Sequence, residues 1–302
     1  MNHTDFSLEG KHGVVLGFGR QGKALARWLP QHGAHVTISD QRDMGVLADD
    51  LLDFLDVPIQ FALGSHPLEL LDNADFVCLS GGVPTDLPFV VAAQERGIPL
   101  TNDAILFLER CPALVIGITG SAGKTTTTTL VGLMARADGR TAWVGGNIGN
   151  VLLDDLARMK SEDVVVMELS SFQLELARLS PDIAAVLNIT PNHLDRHKTM
   201  HAYIAAKSNI FNYQAGDDVV VLGEDNPVAA SLVEVAPGAA GHLLGAADGC
   251  EWGLSAGAAR GGGGQFQPDR RGAGGLRNAT RSGVRGEHNL QNVLAACALA
   301  GR

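Results

Sequence analysis

Cysteine is scarce in this sequence: Cys78, Cys111, Cys250 and Cys297 are the four cysteines among 302 residues. They lie far apart and form no C-x-x-C pair, which excludes a disulfide scaffold and a zinc ribbon and indicates a reducing compartment. No apolar run approaches the roughly 18 residues that a membrane-spanning helix needs, and the N-terminus has no apolar signal core. We therefore expect a cytoplasmic protein without a membrane partner.

Basic residues are also fewer than acidic residues. The chain has 23 Lys and Arg against 33 Asp and Glu, which gives a formal net charge of −10. A nucleic-acid partner requires clustered positive charge to neutralise its phosphates, so this balance argues against one. Aromatic residues are few, at 5%, but hydrophobic residues make up 45% of the chain. The composition is that of a globular protein of about two domains.

Strand and helix patterns alternate through most of the chain. Short apolar runs, typical of strands buried on both faces, are followed by glycine turns and helical segments. One series begins near residue 12 and a second near residue 113, with Cys111-Pro112 between them. Because this alternation predicts parallel sheets, we expect an α/β protein. A Rossmann-like parallel-sheet domain would span 1–111, and a phosphate-loop-type α/β ATP-binding domain would span 112–302.

The C-terminal part of the chain has a weaker pattern. From about Ala236 to Gly286 the composition shifts to Gly and Ala, which predicts short strands and loops or a flexible stretch. Residues 289–302 are predicted to form an apolar helix that requires a partner surface. We expect a chain that is cut before its next domain.

The first glycine loop has the pattern G-x-G-x-x-G, from Gly17 to Gly22, between a predicted strand and a predicted helix. Asp40 closes the next strand. Glycines at such a turn let the backbone approach a pyrophosphate at the helix N-terminus. Taken alone, the pattern fits a nicotinamide or flavin cofactor, another nucleotide diphosphate, or a purely structural turn.

The second glycine loop, Thr119 to Thr125, reads T-G-S-A-G-K-T and also links a strand to a helix. The usual phosphate loop has a glycine five positions before its Gly-Lys pair, where this chain has Ile118. Its backbone N–H groups can still hold phosphates, Lys124 can reach the terminal phosphates, and the Thr125 hydroxyl can bind Mg²⁺. The alternative is a glycine-rich loop with a surface lysine. Five consecutive threonines then begin the helix, and these poor helix formers require tertiary contacts.

Two charged residues downstream of this loop are candidates for the same site. Glu168 ends a predicted buried strand, where a carboxylate can hold Mg²⁺. The alternative is a glutamate at a helix start, favoured by the helix dipole. Lys207 lies in an amphipathic helical stretch and, taken alone, is an ordinary lysine with its stem on apolar surface.

Three histidines follow at four-residue spacing. On one helix, His193, His197 and His201 would share a face and suggest a zinc site. The preceding Pro191-Asn192 predicts a turn instead. We expect His197 and His201 to be solvated or to cap helices.

In combination, these motifs resemble those of the Mur ligases, the ATP-dependent amino-acid-adding enzymes of peptidoglycan synthesis, and most closely the member that adds D-glutamate. Residues 119–125 match the family's phosphate loop, T-G-[ST]-x-G-K-[ST], at every position. The other similar blocks, in chain order, are GGNIG (145–149), ELSSFQLE (168–175), NITPNHLDRH (188–197), YIAAKSNIF (203–211) and GEHNLQN (286–292). The block at 168–175 is the most specific to that member.

The resemblance implies a three-domain ligase, of which this chain holds a UDP-binding domain and most of an ATP- and Mg²⁺-binding domain, while the C-terminal amino-acid domain is absent. The implied reaction joins D-glutamate to UDP-N-acetylmuramoyl-L-alanine (UDP-MurNAc-L-alanine) through an acyl phosphate made from ATP. The alternatives are another ligase of the superfamily, such as one that adds glutamate to folate, a nicotinamide-dependent dehydrogenase fused to an NTPase, and a truncated chain that binds nucleotide without ligase activity.

The resemblance also implies the site residues. The catalytic residues would be Lys124, Glu168, His193 and Lys207. Two Mg²⁺ ions would be held by Thr125, Glu168, His193 and Lys207, the lysine as a carbamate made from CO₂. The ATP-binding residues would be Thr119, Gly120, Ser121, Ala122, Gly123, Lys124, Thr125 and Thr126, with Asn289 and Asn292 at the adenine. The residues that bind the UDP substrate would be Gly19, Arg20, Gln21, Gly22, Asp40, Arg42, Ser80, Gly82, Asn147, Ser170 and His193.

The sequence departs from the family pattern at two positions. The turn that normally cradles the UDP phosphates has the sequence Ser-Pro-Gly in the family and Ser80-Gly81-Gly82 here. An acidic residue normally precedes the family histidine, and this chain has Asn192. Neither change removes a proposed ligand.

Overall fold

The structure is a computed structural model that describes residues 7–237, 241–244 and 254–256. The helix expected at 289–302, with Asn289 and Asn292, and most of the Gly- and Ala-rich stretch lie outside the described residues. The chain divides into two compact units, Met1–Arg110 with Leu153–Ala157, and Cys111–Leu152 with Arg158–Arg302. Each is an α/β unit on a largely parallel sheet, so the predicted fold class is confirmed. No helix in the described ranges has the length and apolarity that would let it cross a bilayer.

The first unit has a five-stranded parallel sheet in the order β3-β2-β1-β4-β5. Its strands are β1 (His12–Leu16), β2 (His35–Asp40), β3 (Ile59–Leu63), β4 (Phe76–Leu79) and β5 (Leu100–Thr101). Its helices are α1 (Arg20–Gln31), α2 (Met44–Leu52), α3 (Pro88–Glu95) and α4 (Asp103–Arg110). The strand order reverses between β1 and β4. A parallel sheet opens a ligand crevice at the carboxyl ends of its strands at such a point.

Two features of the first unit follow from local sequence. Strand β5 has two residues, because Asn102 turns the chain into α4: its Oδ1 accepts a hydrogen bond from Ile105 N at 2.9 Å. Helix α1 places buried residues such as Leu25 and Leu29 on one face, which fixes it on the sheet. The fully buried Phe18 ring, in the first glycine loop, anchors that loop in the core.

The second unit has a seven-stranded sheet in the order β12-β11-β10-β9-β6-β8-β7. Its strands are β6 (Leu114–Thr119), β7 (Ala142–Gly146), β8 (Val164–Glu168), β9 (Ile183–Val186), β10 (Val219–Gly223), β11 (Gly241–Leu244) and β12 (Leu254–Ala256). Its helices are α5 (Lys124–Ala137), α6 (Ser171–Glu175), α7 (Leu194–His197), α8 (Met200–Ser208) and α9 (Pro227–Ser231). All neighbouring strands pair in parallel except β11 and β12, which are antiparallel.

The core of the second unit packs α5 against the central strands. Apolar residues of β6, β8, β9 and β10 form one cluster with Val131 of α5. The threonine run is supported as expected, because Thr127 and Thr128 are fully buried and the Thr129 hydroxyl donates to the Thr125 carbonyl at 2.8 Å. The loops that follow β6, β8 and β9 therefore meet at the same edge of the sheet.

Candidate active site

The phosphate loop ends at Gly123, which has a left-handed conformation (φ 82°) and caps α5. The first N–H groups of a helix have no intrahelical partner. In the described part of the chain, no group accepts a hydrogen bond from the backbone N–H of Lys124 or Thr125. Together with the dipole of this 14-residue helix, these groups form a site for an anion such as a phosphate.

The front half of the loop is held by Asn188, a residue that the sequence did not single out. Ser121 N donates to Asn188 O at 2.9 Å, Ala122 N donates to Asn188 Oδ1 at 2.9 Å, and Asn188 Nδ2 donates to Ala122 O at 3.1 Å. The Ser121 hydroxyl also bonds to Thr190 O and Tyr203 Oη, at 3.0 Å each. The signal for this role was the position of Asn188, just after a buried strand beside β6.

Glu168 lies at the end of β8, as the sequence predicted, and its side chain is buried. Its Oε2 accepts from Thr125 Oγ1 at 2.8 Å, and its Oε1 accepts from Asn147 Nδ2 at 2.9 Å. Position 146, which pairs with Glu168 in the sheet, requires glycine. Its φ is 100°, and a Cβ there would collide with the Glu168 carbonyl oxygen. The alternative role of Glu168, at a helix start, is wrong.

Both candidate lysines converge on one backbone carbonyl. Lys124 Nζ donates to Gly120 O at 2.9 Å, and Lys207 Nζ donates to the same oxygen at 3.0 Å. Lys207 Nζ also donates to Thr119 Oγ1 at 3.2 Å. The Lys207 side chain is 1% exposed, so the reading as an ordinary lysine on the surface is wrong. Burial was not visible in the sequence, because the covering loop comes from β6.

The surroundings of Lys207 favour its neutral amine. Burial, together with the smaller effect of the nearby positive charge of Lys124, lowers the pKa of Lys207 to about 7, while Glu168 opposes the shift. Burial also lowers the pKa of Lys124, against the effect of Glu168. A neutral lysine amine is a nucleophile, whereas an ammonium is not.

A pH titration of stability checks this state of Lys207. The unfolded chain keeps the ordinary lysine pKa of 10.5, so between about pH 7 and 10 it binds more protons than the folded state. The free energy of unfolding should therefore rise with pH in this window, by up to about 1.4 kcal/mol per pH unit. Lys207→Met should lack this slope, and Lys160→Met, at an exposed lysine, should keep it. Urea unfolding in CO₂-free buffer measures the difference, and parallel curves for wild type and Lys207→Met would contradict it.

Helix α7 has a left-handed residue at each end, His193 (φ 52°) and Lys198 (φ 63°). His193 is its N-cap residue and is exposed. The edge-to-face contact of the His193 ring with Phe172 has a centroid distance of 5.2 Å. In the described ranges, His193 makes no hydrogen bond to Glu168 or Lys207. The structure thus places His193 on the loop after β9 but does not bring its side chain into contact with the Glu168 carboxylate.

The other two histidines differ in their environment. His197 is buried, its Nε2 bonds to Ser171 Oγ at 2.9 Å, and its ring stacks on Phe172 at 5.2 Å. The prediction that His197 is solvated or a cap is therefore wrong, because α6 supplies an aromatic cover. His201 is exposed on α8, as expected. The three histidines lie on two helices, so they do not share one helical face.

Ser170 serves as the N-cap of α6 in a capping box. Its hydroxyl accepts from Gln173 N at 3.2 Å, and Gln173 Oε1 accepts from Ser170 N at 3.1 Å. Helix α6 begins in this way directly after Glu168 and Leu169. The cap thus fixes where β8 ends and holds Glu168 at the sheet edge.

The donors at this edge suit Mg²⁺. Among the described residues, no three His, Cys, Asp or Glu side chains come together as a metal site. A metal here would therefore rely on other oxygen donors as well. The Thr125 hydroxyl and the Glu168 carboxylate are already within 2.8 Å of each other, and hard oxygen donors are the ligands that Mg²⁺ prefers.

In the first unit, Asp40 organises the end of β2. Its carboxylate accepts from Phe18 N at 2.6 Å, from Arg42 N at 2.8 Å and from Arg42 Nη2 at 2.7 Å. Burial alone would raise the pKa of Asp40, but the hydrogen bonds from Arg42 and Phe18 lower it to about 2. Asp40 is therefore ionised at neutral pH and ties the first glycine loop to Arg42.

The loops after β1 and β4 face each other across the crevice. Gly19 is the N-cap of α1, which begins at Arg20, and a Cβ on Gly22 would collide with the Gly17 carbonyl oxygen. On the other side, Ser80 is buried and Gly82 has φ 111°. Gly81 N donates to Gln21 Oε1 at 2.9 Å and so joins the two loops.

Two family models match this chain. The Mur ligase middle domain matches residues 118–300, and the Mur ligase MurD-like, N-terminal domain matches residues 11–102. The first model alone covers more than half of the sequence, and the two together reach from the first sheet to the end of the chain.

Curated relatives agree with these models. The UDP-N-acetylmuramoylalanine--D-glutamate ligase of Acetivibrio thermocellus is 40% identical over 238 residues, which are 79% of this chain and 51% of that protein. The protein of the same name from Symbiobacterium thermophilum is 44% identical over 214 residues, which are 71% of this chain and 47% of that protein. The chain spans about half the length of the curated relatives that it matches.

Solved structures show the same fold. UDP-N-acetylmuramate-alanine ligase MurC from Thermotoga maritima is 22% identical and has a TM-score of 0.53, covering 96% of this chain and 64% of that one. UDP-N-acetylmuramate:L-alanyl-gamma-D-glutamyl-meso-diaminopimelate ligase from Neisseria meningitides is 15% identical with a TM-score of 0.54, covering 97% and 98%. With both family models and the curated relatives, the conclusion is that this chain belongs to the Mur ligase family.

Proposed function

We propose that this chain is the UDP- and ATP-binding part of a cytoplasmic ligase that adds D-glutamate to UDP-MurNAc-L-alanine in peptidoglycan precursor synthesis. The curated relatives carry the name of that activity. The observation that carries the proposal is the meeting of Lys124, Lys207, Thr125 and Glu168 at one edge of the second sheet. A lysine at a phosphate loop, beside a carboxylate and a hydroxyl that suit Mg²⁺, fits the transfer of a phosphoryl group to an anionic acceptor.

The reaction needs ATP because a carboxylate has no usable leaving group. The L-alanyl carboxylate oxygen attacks the γ-phosphorus of ATP, and ADP leaves with the electrons of the broken P–O bond. The amine of D-glutamate then attacks the carbonyl carbon of the acyl phosphate, loses a proton, and expels phosphate. Both steps bring anions together, so electrostatic stabilisation is the main demand on the protein.

The second unit supplies that stabilisation through named groups. The backbone N–H groups at the start of α5 bind phosphate oxygens, and Lys124 neutralises charge on the terminal phosphates. Thr125 and Glu168 would hold Mg²⁺, which would supply Lewis-acid stabilisation of the phosphate charge. Asn147 orients Glu168 through the 2.9 Å hydrogen bond to Oε1. In this proposal, His193 and Ser170 contact the substrate and its metal.

We propose that Lys207 acts as a carbamate. Its neutral amine attacks CO₂ and releases one proton, which gives an N-carboxylate with a negative charge. The burial of Lys207 and its neutral hydrogen-bond acceptors, Gly120 O and Thr119 Oγ1, support the uncharged amine that this step requires. The carbamate adds a second anionic oxygen donor beside Glu168 for a second Mg²⁺, where an ammonium would repel the metal.

The first unit is proposed to bind UDP and not a nicotinamide cofactor. A hydride carrier has no role in a phosphoryl transfer, whereas a UDP-linked carboxylate can be its acceptor. In calorimetric titrations we expect UDP and UDP-MurNAc-L-alanine to bind, and we expect NADH to bind more weakly than both. Tighter binding of NADH than of either uridine ligand would sink the proposal and favour a dehydrogenase fused to an NTPase.

A further inference from the structure

Helix α2 has apolar side chains on a solvent-exposed side as well as on its buried side. The buried side is anchored in the first unit: Leu47 of α2 and Phe54, just after it, are 1% and 2% exposed, and the Phe54 ring makes an edge-on contact with Phe18 at a centroid distance of 4.9 Å. Met44 and Leu52, in contrast, are 68% and 63% exposed. The packing of α2 therefore leaves two large apolar side chains in water.

The exposed apolar residues form one line along the helix. Met44, Ala48 and Leu52 are four residues apart, which places them on one face of an α-helix, and Ala48 is also exposed. After Leu52 the chain continues in turns with hydrogen bonds between residues three apart. Residues at this spacing eclipse each other in such turns, so Leu55, which is 77% exposed, extends the line. We call Met44, Ala48, Leu52 and Leu55 the apolar stripe.

A row of carboxylates lies along one flank of the apolar stripe. Asp49, Asp53 and Asp56 each follow a residue of the stripe by one position, so they lie beside it with the same spacing. All three are exposed, and among the residues that the structure describes none of them has an ion-pair partner. Asp50, one position further round the helix than Asp49, is paired with Lys23. The chain thus neutralises Asp50 but leaves the charges on this flank unpaired.

The combination of apolar stripe and acidic flank indicates the chemistry of the occupant. Exposed apolar patches with a polar rim are typical of interaction surfaces. Lys and Arg on a partner helix would pair with the carboxylates, while apolar residues at helical spacing would cover the stripe. A second copy of this chain would instead bring two acidic flanks together, and the net charge is already −10. An anionic lipid surface would be repelled in the same way.

We propose that the apolar stripe is a docking site for a basic amphipathic helix of another protein. The partner helix lays its apolar face on the stripe and pairs its Lys or Arg side chains with the acidic flank. None of the stripe residues is among those proposed to bind UDP or ATP. Docking is therefore a property separate from the proposed reaction, and it would hold the ligase beside its partner.

The first test uses a designed helical peptide of Leu and Lys as the probe, titrated into the chain by calorimetry. The peptide should bind at one site, and its affinity should fall as salt is added. The double variant Leu52→Gln, Leu55→Gln keeps the helix propensity but removes apolar contact area, so the affinity should fall by at least about tenfold. Leu133→Gln changes a leucine of α5 that is 53% exposed and should bind the peptide like wild type.

The charge of the flank is tested separately. The double variant Asp49→Lys, Asp53→Lys should also lose at least about tenfold in affinity for the peptide and should bind more tightly as salt is added, because like charges now face each other. Asp217→Lys, at an exposed aspartate of the second unit, should behave like wild type. Equal binding by wild type and both double variants, or no binding by wild type, would overturn the proposal.

The second test identifies the occupant. A photo-cross-linking amino acid replaces Ala48, at the centre of the stripe, in the ligase in its native cells, and the cross-linked segment is sequenced by mass spectrometry. We expect a segment of another protein with Lys or Arg beside apolar residues at helical spacing. Cross-links only to lipid, to this same chain, to a second copy of it, or to segments without that pattern would overturn the proposal, whatever the outcome for the UDP and ATP sites.

Discussion

Replacing Lys124 with alanine should weaken Mg-ATP binding by at least about tenfold, because a charge-assisted hydrogen bond typically contributes about 1.5–3 kcal/mol. Lys124 is the first residue of α5, and its Nζ lies 2.9 Å from Gly120 O, within the phosphate loop. Burial lowers the pKa of Lys124, so a phosphate anion is the partner that best stabilises its charge. Calorimetric titration of the purified chain with Mg-ATP measures the effect.

Two control variants make this prediction specific. Lys160→Ala removes an exposed lysine of the same unit and should bind Mg-ATP like wild type. Lys207→Ala should lose much less ATP affinity than Lys124→Ala, since Lys207 is proposed to act near the acyl group and through a metal. Equal ATP affinity in wild type and Lys124→Ala would refute the assignment of the phosphate loop.

Lys207→Ala should abolish both the carbamate and the formation of acyl phosphate. Incubation of the wild-type chain with ¹³C-bicarbonate and Mg²⁺ should give a carbamate carbon resonance, and the variant should lack it. In a preparation of the ligase that forms acyl phosphate, the variant should be inactive, and short carboxylates such as acetate should restore part of the activity. The reason is that acetate can replace the missing anionic oxygen donor beside Glu168.

Two results would contradict the proposed carbamate at Lys207. Full activity of Lys207→Ala without added carboxylate would end it. A wild-type spectrum without a carbamate resonance, under conditions where Mg-ATP binds, would show that the buried amine stays unmodified. Lys160→Ala, at an exposed lysine, should retain the resonance.

The sequence was sufficient for the parts of the fold that follow from local pattern. Both strand–glycine–helix units were predictable, because each motif is contiguous: the loops at Gly17 and Gly120 each leave a buried strand and enter a helix. Glu168 at the end of β8 was predictable for the same reason. The link between Thr125 and Glu168 was also expected, since the carboxyl ends of neighbouring parallel strands lie at one edge.

What could not be predicted depends on contacts between distant segments. Asn188 pairs with Ala122 across 66 positions of the chain, and its position just after a buried strand does not by itself identify that partner. His197 was predicted to be solvated or to cap a helix, but its ring is buried against Phe172, which lies on another helix. The burial of Lys207 likewise depends on its approach to Gly120 and Thr119. Tertiary packing, and not sequence periodicity, determines each of these environments.

The left-handed backbone conformation of His193 lowers the stability of the fold at a position whose side chain is proposed to act in the reaction. A non-glycine residue at φ 52° costs on the order of 1 kcal/mol, which a glycine would not. Natural selection for folding alone would therefore replace this histidine, and a laboratory search for heat-resistant variants would favour the same replacement. Such variants would gain melting temperature while they lose a side chain at the proposed substrate carboxylate. A consensus or stability-guided redesign of this chain should therefore keep the histidine at position 193 fixed.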